Sequence, residues 1–115
     1  MSDIIIITDS VSIDKIKDLA KQGFGDMVKG VADIEKGIMA IGGELHADEE
    51  AVLLDQGSSQ SDLWGFNIYV NEPRASWIEF DSMINLRPAQ SNLSNLVQDP
   101  KTKQKILDIV NKLIQ

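Results

Sequence analysis

The chain contains no cysteine, so no disulfide, thiolate zinc site, iron–sulfur cluster or cysteine nucleophile can be built from it. His46 is its one histidine. A serine triad would have to use that residue, and no Gly-x-Ser-x-Gly elbow accompanies it. Long apolar runs are also missing: Ile4–Ile7 and Ile38–Ile41 are four residues each. With the acidic start Met1-Ser2-Asp3, this predicts neither a signal peptide nor a transmembrane helix, and a soluble cytoplasmic protein without a membrane partner is expected. Glycine loops fail as well. The glycines from Gly37 to Gly43 include phosphate-loop spacing, but Gly43-Glu44 stands where the lysine and the hydroxyl residue belong, and Gly23 and Gly25 lack the third glycine of a dinucleotide fingerprint. Positive charge is scarce, with 11 Lys and Arg against 18 Asp and Glu, a net of −7. That argues against general nucleic-acid binding, which is driven by cationic counterion release.

What remains is ordinary globular usage, 43% hydrophobic and 25% charged over 115 residues. This is enough for one domain, 1–115, with its own core. The charge is unevenly placed. Between Val31 and Asp81 stand 11 acidic and two basic residues, a net of −9, and the rest of the chain carries +2. The acidic middle is a candidate cation-binding face. The lysines of the end elements are otherwise a solvated decoration or a weak nucleic-acid contact.

Four consecutive isoleucines make Asp3–Thr8 a strand, since β-branched residues suit a pleated surface and the run is too short for a helix face. Ser12 caps a helix to about Gln22, stopped by Gly23, with Ile13, Ile16, Leu19 and Ala20 inward. From Met27 to Leu45 the apolar spacing fits a helix, but Gly30, Gly37, Gly42 and Gly43 would cost it about 1 kcal/mol each. A hairpin, Val28–Glu35 and Ile38–Glu44 turned at Lys36-Gly37, is therefore predicted. Asp48 caps a short helix to about Gln56, and Leu63–Val70 is the next strand. Trp77–Leu86 follows with period two, sending Ile78, Phe80, Ser82 and Ile84 one way and Trp77, Glu79, Asp81 and Met83 the other. A polar loop, Ala89–Gln98, precedes a last helix that opens at Asp99-Pro100. The order β-α-β-β-α-β-β-α is that of an α+β fold, read here as two layers on a mostly antiparallel sheet with a ferredoxin-like start.

Three blocks, DMVKGVADIEKGIMAIGGELHAD from Asp26, DLWGFNIY from Asp62 and EFDSMINLRPAQSN from Glu79, together resemble a family of small prokaryotic proteins described only as a domain of unknown function. The resemblance covers nearly the whole chain. It implies compact intracellular proteins and brings no activity or site residue with it.

Three constellations could carry chemistry. Glu44, His46 and Asp48 lie two apart, and an extended backbone would direct them to one face. With Glu79 and Asp81, and with Asp33 and Glu35 nearby, they could hold a divalent cation that activates water. The bland readings are that Asp48 is a helix cap and His46 a satisfied boundary residue. Arg87, Gln90 and Asn92 offer a fork-like cation beside two amides, suited to a small anionic ligand. Alternatively, Arg87 pairs with Glu79 or Asp81. Trp77 and Met83 fall on the polar face of their strand and mark a candidate interface. These features predict a non-enzymatic binding or assembly module forming a homo-oligomer, with a metal-binding protein or metal-dependent hydrolase as the second reading.

Overall fold

A computed structural model describes residues 4–115. The start of the predicted strand at Asp3 and the Met1-Ser2-Asp3 segment lie outside the described residues. In chain order the elements are β1 (Ile5–Ile7), α1 (Ile13–Gln22), β2 (Met27–Asp33), β3 (Ile38–Ile41), α2 (His46–Asp55), β4 (Leu63–Tyr69), β5 (Ile78–Glu79) and α3 (Pro100–Leu113), with short 3-10 turns between Gln60 and Gln90. The five strands form one antiparallel sheet in the order β1-β3-β2-β4-β5. The fold is therefore mixed α+β, in the order read from the sequence. No helix among the described residues is long and apolar enough to cross a membrane.

The ambiguous stretch is a hairpin, as its glycines required. Gly37 turns it at φ 71°. Asp33 locks the turn, its buried Oδ1 accepting the backbone N–H groups of Glu35 and Lys36 at 3.0 and 2.9 Å, and its Oδ2 accepting Ser58 Oγ at 2.7 Å. Gly30 has a separate reason to lack a side chain. A Cβ there would lie 2.5 Å from the ring of Phe66, which lies across β2 from the neighbouring strand.

The sheet begins in ferredoxin-like fashion, with β1, β3 and β2 adjacent in that order. It then departs, because β4 lies beside β2 and not beside β1. The expected two layers are also corrected, since the sheet has helices on both faces. On one, Ile16 and Ala20 of α1 and Ile106, Val110 and Leu113 of α3 pack on Val28, Ala32, Met39, Ile41, Phe66 and Ile68. On the other, Leu53 of α2 packs with Val31, Ala40 and Leu63, joined by Ile4, Ile6, Ile38 and Ile84. The cause is the unbroken apolar character of β1 and β3 and the largely apolar β4, whose side chains alternate between faces and leave both needing cover. The main chain also closes on itself. Val11 N–H donates to Leu113 O at 2.8 Å, and Gln115 N–H to Val11 O at 2.9 Å.

The long strand expected over Trp77–Leu86 is corrected as well. Only Ile78 and Glu79 pair with β4, and the chain then breaks into a 3-10 turn at Met83–Asn85. Replacing Gly30 by alanine should destabilise the protein by about 1–3 kcal/mol in urea unfolding, the usual cost of overpacking a core. The exposed, left-handed Gly25 has no atom within 4 Å of an added Cβ. Its alanine variant should lose only about 1 kcal/mol, through backbone strain alone.

Candidate functional site

The predicted cation set is dispersed by its own secondary structure. The helix α2 starts at His46, capped by Leu45 rather than Asp48. Glu44, His46 and Asp48 therefore do not share an extended face. Glu44 and Asp48 are exposed, whereas His46 is buried. The His46 Nε2 sits 2.8 Å from the carbonyl of Phe66. A carbonyl only accepts, so this nitrogen carries the hydrogen. Burial also lowers the His46 pKa, in keeping with a neutral ring. Glu79 accepts Asn67 Nδ2 at 2.9 Å and Tyr69 Oη–H at 3.1 Å, and the backbone carbonyl of Asp81 accepts the same Asn67 amide at 3.2 Å. Asp33 pairs with Leu63 at the opposite end of β4 from the Asn67–Glu79 pair, four residues and roughly 13 Å along the strand. Glu35 lies exposed in the hairpin turn. Among the described residues, no three His, Asp or Glu side chains gather in a way that could hold a metal ion.

One acidic residue does behave unusually, and the sequence did not single it out. Glu49 is fully buried, its Oε2 accepting Gly43 N–H at 2.9 Å while Oε1 finds no partner among the described residues. Burial pushes its carboxyl up to about 9. Glu49 is thus a neutral acid at pH 7.

The predicted ligand set, in contrast, does come together, around the free edge of β4. Beyond Asn67 no strand pairs with that edge, because β5 has ended. Asn85 takes the strand's place. Its Oδ1 accepts Gly65 N–H at 2.8 Å and its Nδ2 donates to Gly65 O at 2.9 Å and to Asn95 O at 3.1 Å. Gly65 permits this approach, since a Cβ there would lie 2.6 Å from that of Ser82. One residue pair further, Arg87 Nη2 donates to the carbonyl of Leu63. Its other donors reach Ile84 O (3.0 Å), Gln60 O (2.7 Å), Gln90 Oε1 (3.4 Å) and Glu50 Oε2 (3.3 Å). All five guanidinium N–H groups are thereby used. Glu50 is its acidic partner, not Glu79 or Asp81, and this is the one side-chain ion pair among the described residues. Asn92 is equally committed. Its Nδ2 reaches three carbonyls, those of Asn85, Ser94 and Leu96, at 2.7 to 2.9 Å, and its Oδ1 accepts Gln98 N–H at 2.9 Å. Gln90 Nε2 holds Ser61 O at 3.0 Å.

These residues therefore tie down the segment from Ser82 to Gln98, and they do so beneath an apolar display. Met83 is 83% exposed, Leu93 70%, Leu86 52% and Leu96 51%. The segment's only charged side chain is Arg87, which is buried and paired. Met83 thus stands at the surface, as its place in the sequence predicted. Trp77 is corrected: it is 2% exposed beneath the Arg74 guanidinium, 4.4 Å from the ring. The reason is local, because Trp77 closes a 3-10 turn with α-type backbone, φ −81° and ψ −13°, so the strand alternation starts one residue later.

A family model described as "Protein of unknown function (DUF5674)" matches residues 5–113. No curated protein and no solved structure matches the chain.

Two measurements check this account. Asn85→Ala removes three hydrogen bonds, two of them fully buried, and leaves the Gly65 N–H and C=O without that partner, and should cost about 3 kcal/mol in denaturant unfolding. For Glu49, the folded pKa of about 9 exceeds the ordinary 4.5. Between these values the unfolded chain ionises while the folded one stays protonated, so stability falls as pH rises, by up to about 1.4 kcal/mol per unit. Glu49→Gln keeps an acceptor for Gly43 and should flatten that slope.

Proposed function

The chain belongs to the family of proteins of unknown function DUF5674, and we propose that it serves there as a non-enzymatic assembly module that pairs with a second copy of itself through the Ser82–Gln98 segment. One observation carries this reading: four large apolar side chains are displayed on backbone that buried Asn85, Arg87 and Asn92 hold fixed. A surface ordered before contact loses less entropy on binding, and exposed apolar side chains grouped on one element mark interaction sites.

Charge points to this segment as the place where two copies would meet. The chain carries −7, and two such bodies repel. They meet most cheaply where neither presents a carboxylate, and no acidic residue lies between Ser82 and Gln98. The sheet edges are weaker candidates. β1 offers three residues and β5 two, and such short edges resist strand addition.

Sedimentation velocity tests the reading. A dimer is expected in the micromolar range, tightening as salt screens the like charge of the two bodies. Leu93→Lys should raise its Kd at least about tenfold while leaving the thermal midpoint of the dilute monomer unchanged, since the side chain is 70% exposed. A wild-type protein that stays monomeric at high micromolar concentration overturns the proposal.

A further inference from the structure

A cleft of about 610 Å³ opens at one end of the sheet, where the end of α1, the start of β2 and the loop from β3 into α2 meet. Its size lies within the roughly 300–1,000 Å³ of small-ligand sites. The walls are mainly apolar, from Leu19, Phe24, Met27, Val28 and Leu45, and Gly42 and Gly43 add bare backbone. Phe24 is 47% exposed and Leu45 56%. Two large apolar side chains thus stand open to solvent in the same cleft.

One cation lines this space. Lys29 belongs to β2, the middle strand of five, and is half-buried. Its ammonium stands 5.3 Å from the centroid of the Phe24 ring, so it lies against the wall of the cleft. A ring face compensates an ammonium only in part. No carboxylate pairs with Lys29 among the described residues, where Arg87–Glu50 is the one side-chain ion pair. Two buried groups feel its charge, His46 and Glu49. Neither answers it, since the first is a neutral ring and the second a neutral acid. Asp33, the other charged residue of β2, is by contrast bonded into the hairpin turn.

The rest of the lining decides what kind of molecule would answer that ammonium. Glu44 shares the cleft, and the chain as a whole carries −7. A phosphate dianion would bring two charges to one ammonium beside that acid, whereas a single carboxylate matches it one to one. A bare ion would also leave the apolar walls wet. Hydrocarbon buried against Phe24, Met27 and Leu45 adds the affinity that a small anion lacks.

From the unpaired ammonium of Lys29 and the apolar walls around it we infer that this cleft binds a monocarboxylic acid with an apolar body, its carboxylate against Lys29 and its body between Phe24, Met27 and Leu45. The site shares no residue with the apolar display used for self-association, and either can fail without the other.

Proton–nitrogen correlation spectra test it, with the backbone N–H signals of Gly42 and Gly43 as reporters. Gly65, on β4 beside Asn85, is the internal control. Octanoate and 4-phenylbutyrate are each titrated at pH 7 to about 5 mM, where a Kd of about 1 mM is largely saturated. Their neutral amides, acetate and phosphate are titrated alongside. The expected result is a saturable shift of the reporters with at least one of the two acids, binding at least about fivefold weaker for its amide, and no shift with acetate or phosphate or at Gly65. Lys29→Met keeps the apolar stem, and should weaken the acid about tenfold while leaving the amide unchanged. Reporters that stay fixed or only drift linearly with both acids overturn the inference. So does an amide, acetate or phosphate that binds as tightly as the acid, a shift that spreads to Gly65, or a folded Lys29→Met variant with wild-type affinity for the acid. If Lys29→Met does not fold, the comparison of acid with amide on the wild-type protein decides alone.

Discussion

A sheet that loses its outer strand halfway along an inner one must satisfy the exposed edge by some other means, and here a side-chain amide does it. Asn85 presents to Gly65 the donor and acceptor that a neighbouring strand would have supplied. Arg87 continues the substitution at Leu63, and Asn92 fixes the loop that carries both. A buried backbone group without a partner costs about as much as a lost hydrogen bond, so β4 cannot be buried at that end unless this loop is in place. The packing of Ile84 onto Leu63 and Leu53 follows from the same arrangement.

Much of the framework was legible because it rests on local rules. Ser12 and Asp99 cap the helices they were expected to cap. The glycines of the first hairpin exclude a helix there, and the family resemblance matches the family found. What was not legible depended on long-range partners. The strand from Trp77 was read too long because its alternation persists in sequence after its pairing has stopped at Glu79. Arg87, Gln90 and Asn92 do lie in one loop, but nothing local shows that Arg87 and Gln90 spend their polar atoms on backbone carbonyls more than twenty residues away. Glu49 is, by sequence, an acid in the first turn of α2, suited to the positive end of the helix dipole, and nothing local marks it as buried. Only its place over Gly43, where Glu49 Cγ lies 2.9 Å from the position of an added Cβ, shows why it is buried.

Charge that is segregated along the chain becomes segregated in space. The lysines of α1 and α3 lie on the helices of one face, and the acids of α2, which has no lysine or arginine, on the other. Ion pairing contributes little to holding the layers together, since one pair is found among the described residues. Apolar burial against both faces of the sheet does that work.

The clasp between Val11 and the end of α3 has a consequence for how the molecule can open. The turn between β1 and α1 is hydrogen-bonded through its main chain to Leu113 and Gln115, far along the chain, while β1 itself is paired with β3. α3 therefore cannot lift off the sheet without breaking the bonds that also hold the approach to α1. Pairings of such long sequence separation form slowly, and once made they tie the two helices of that face into one unit.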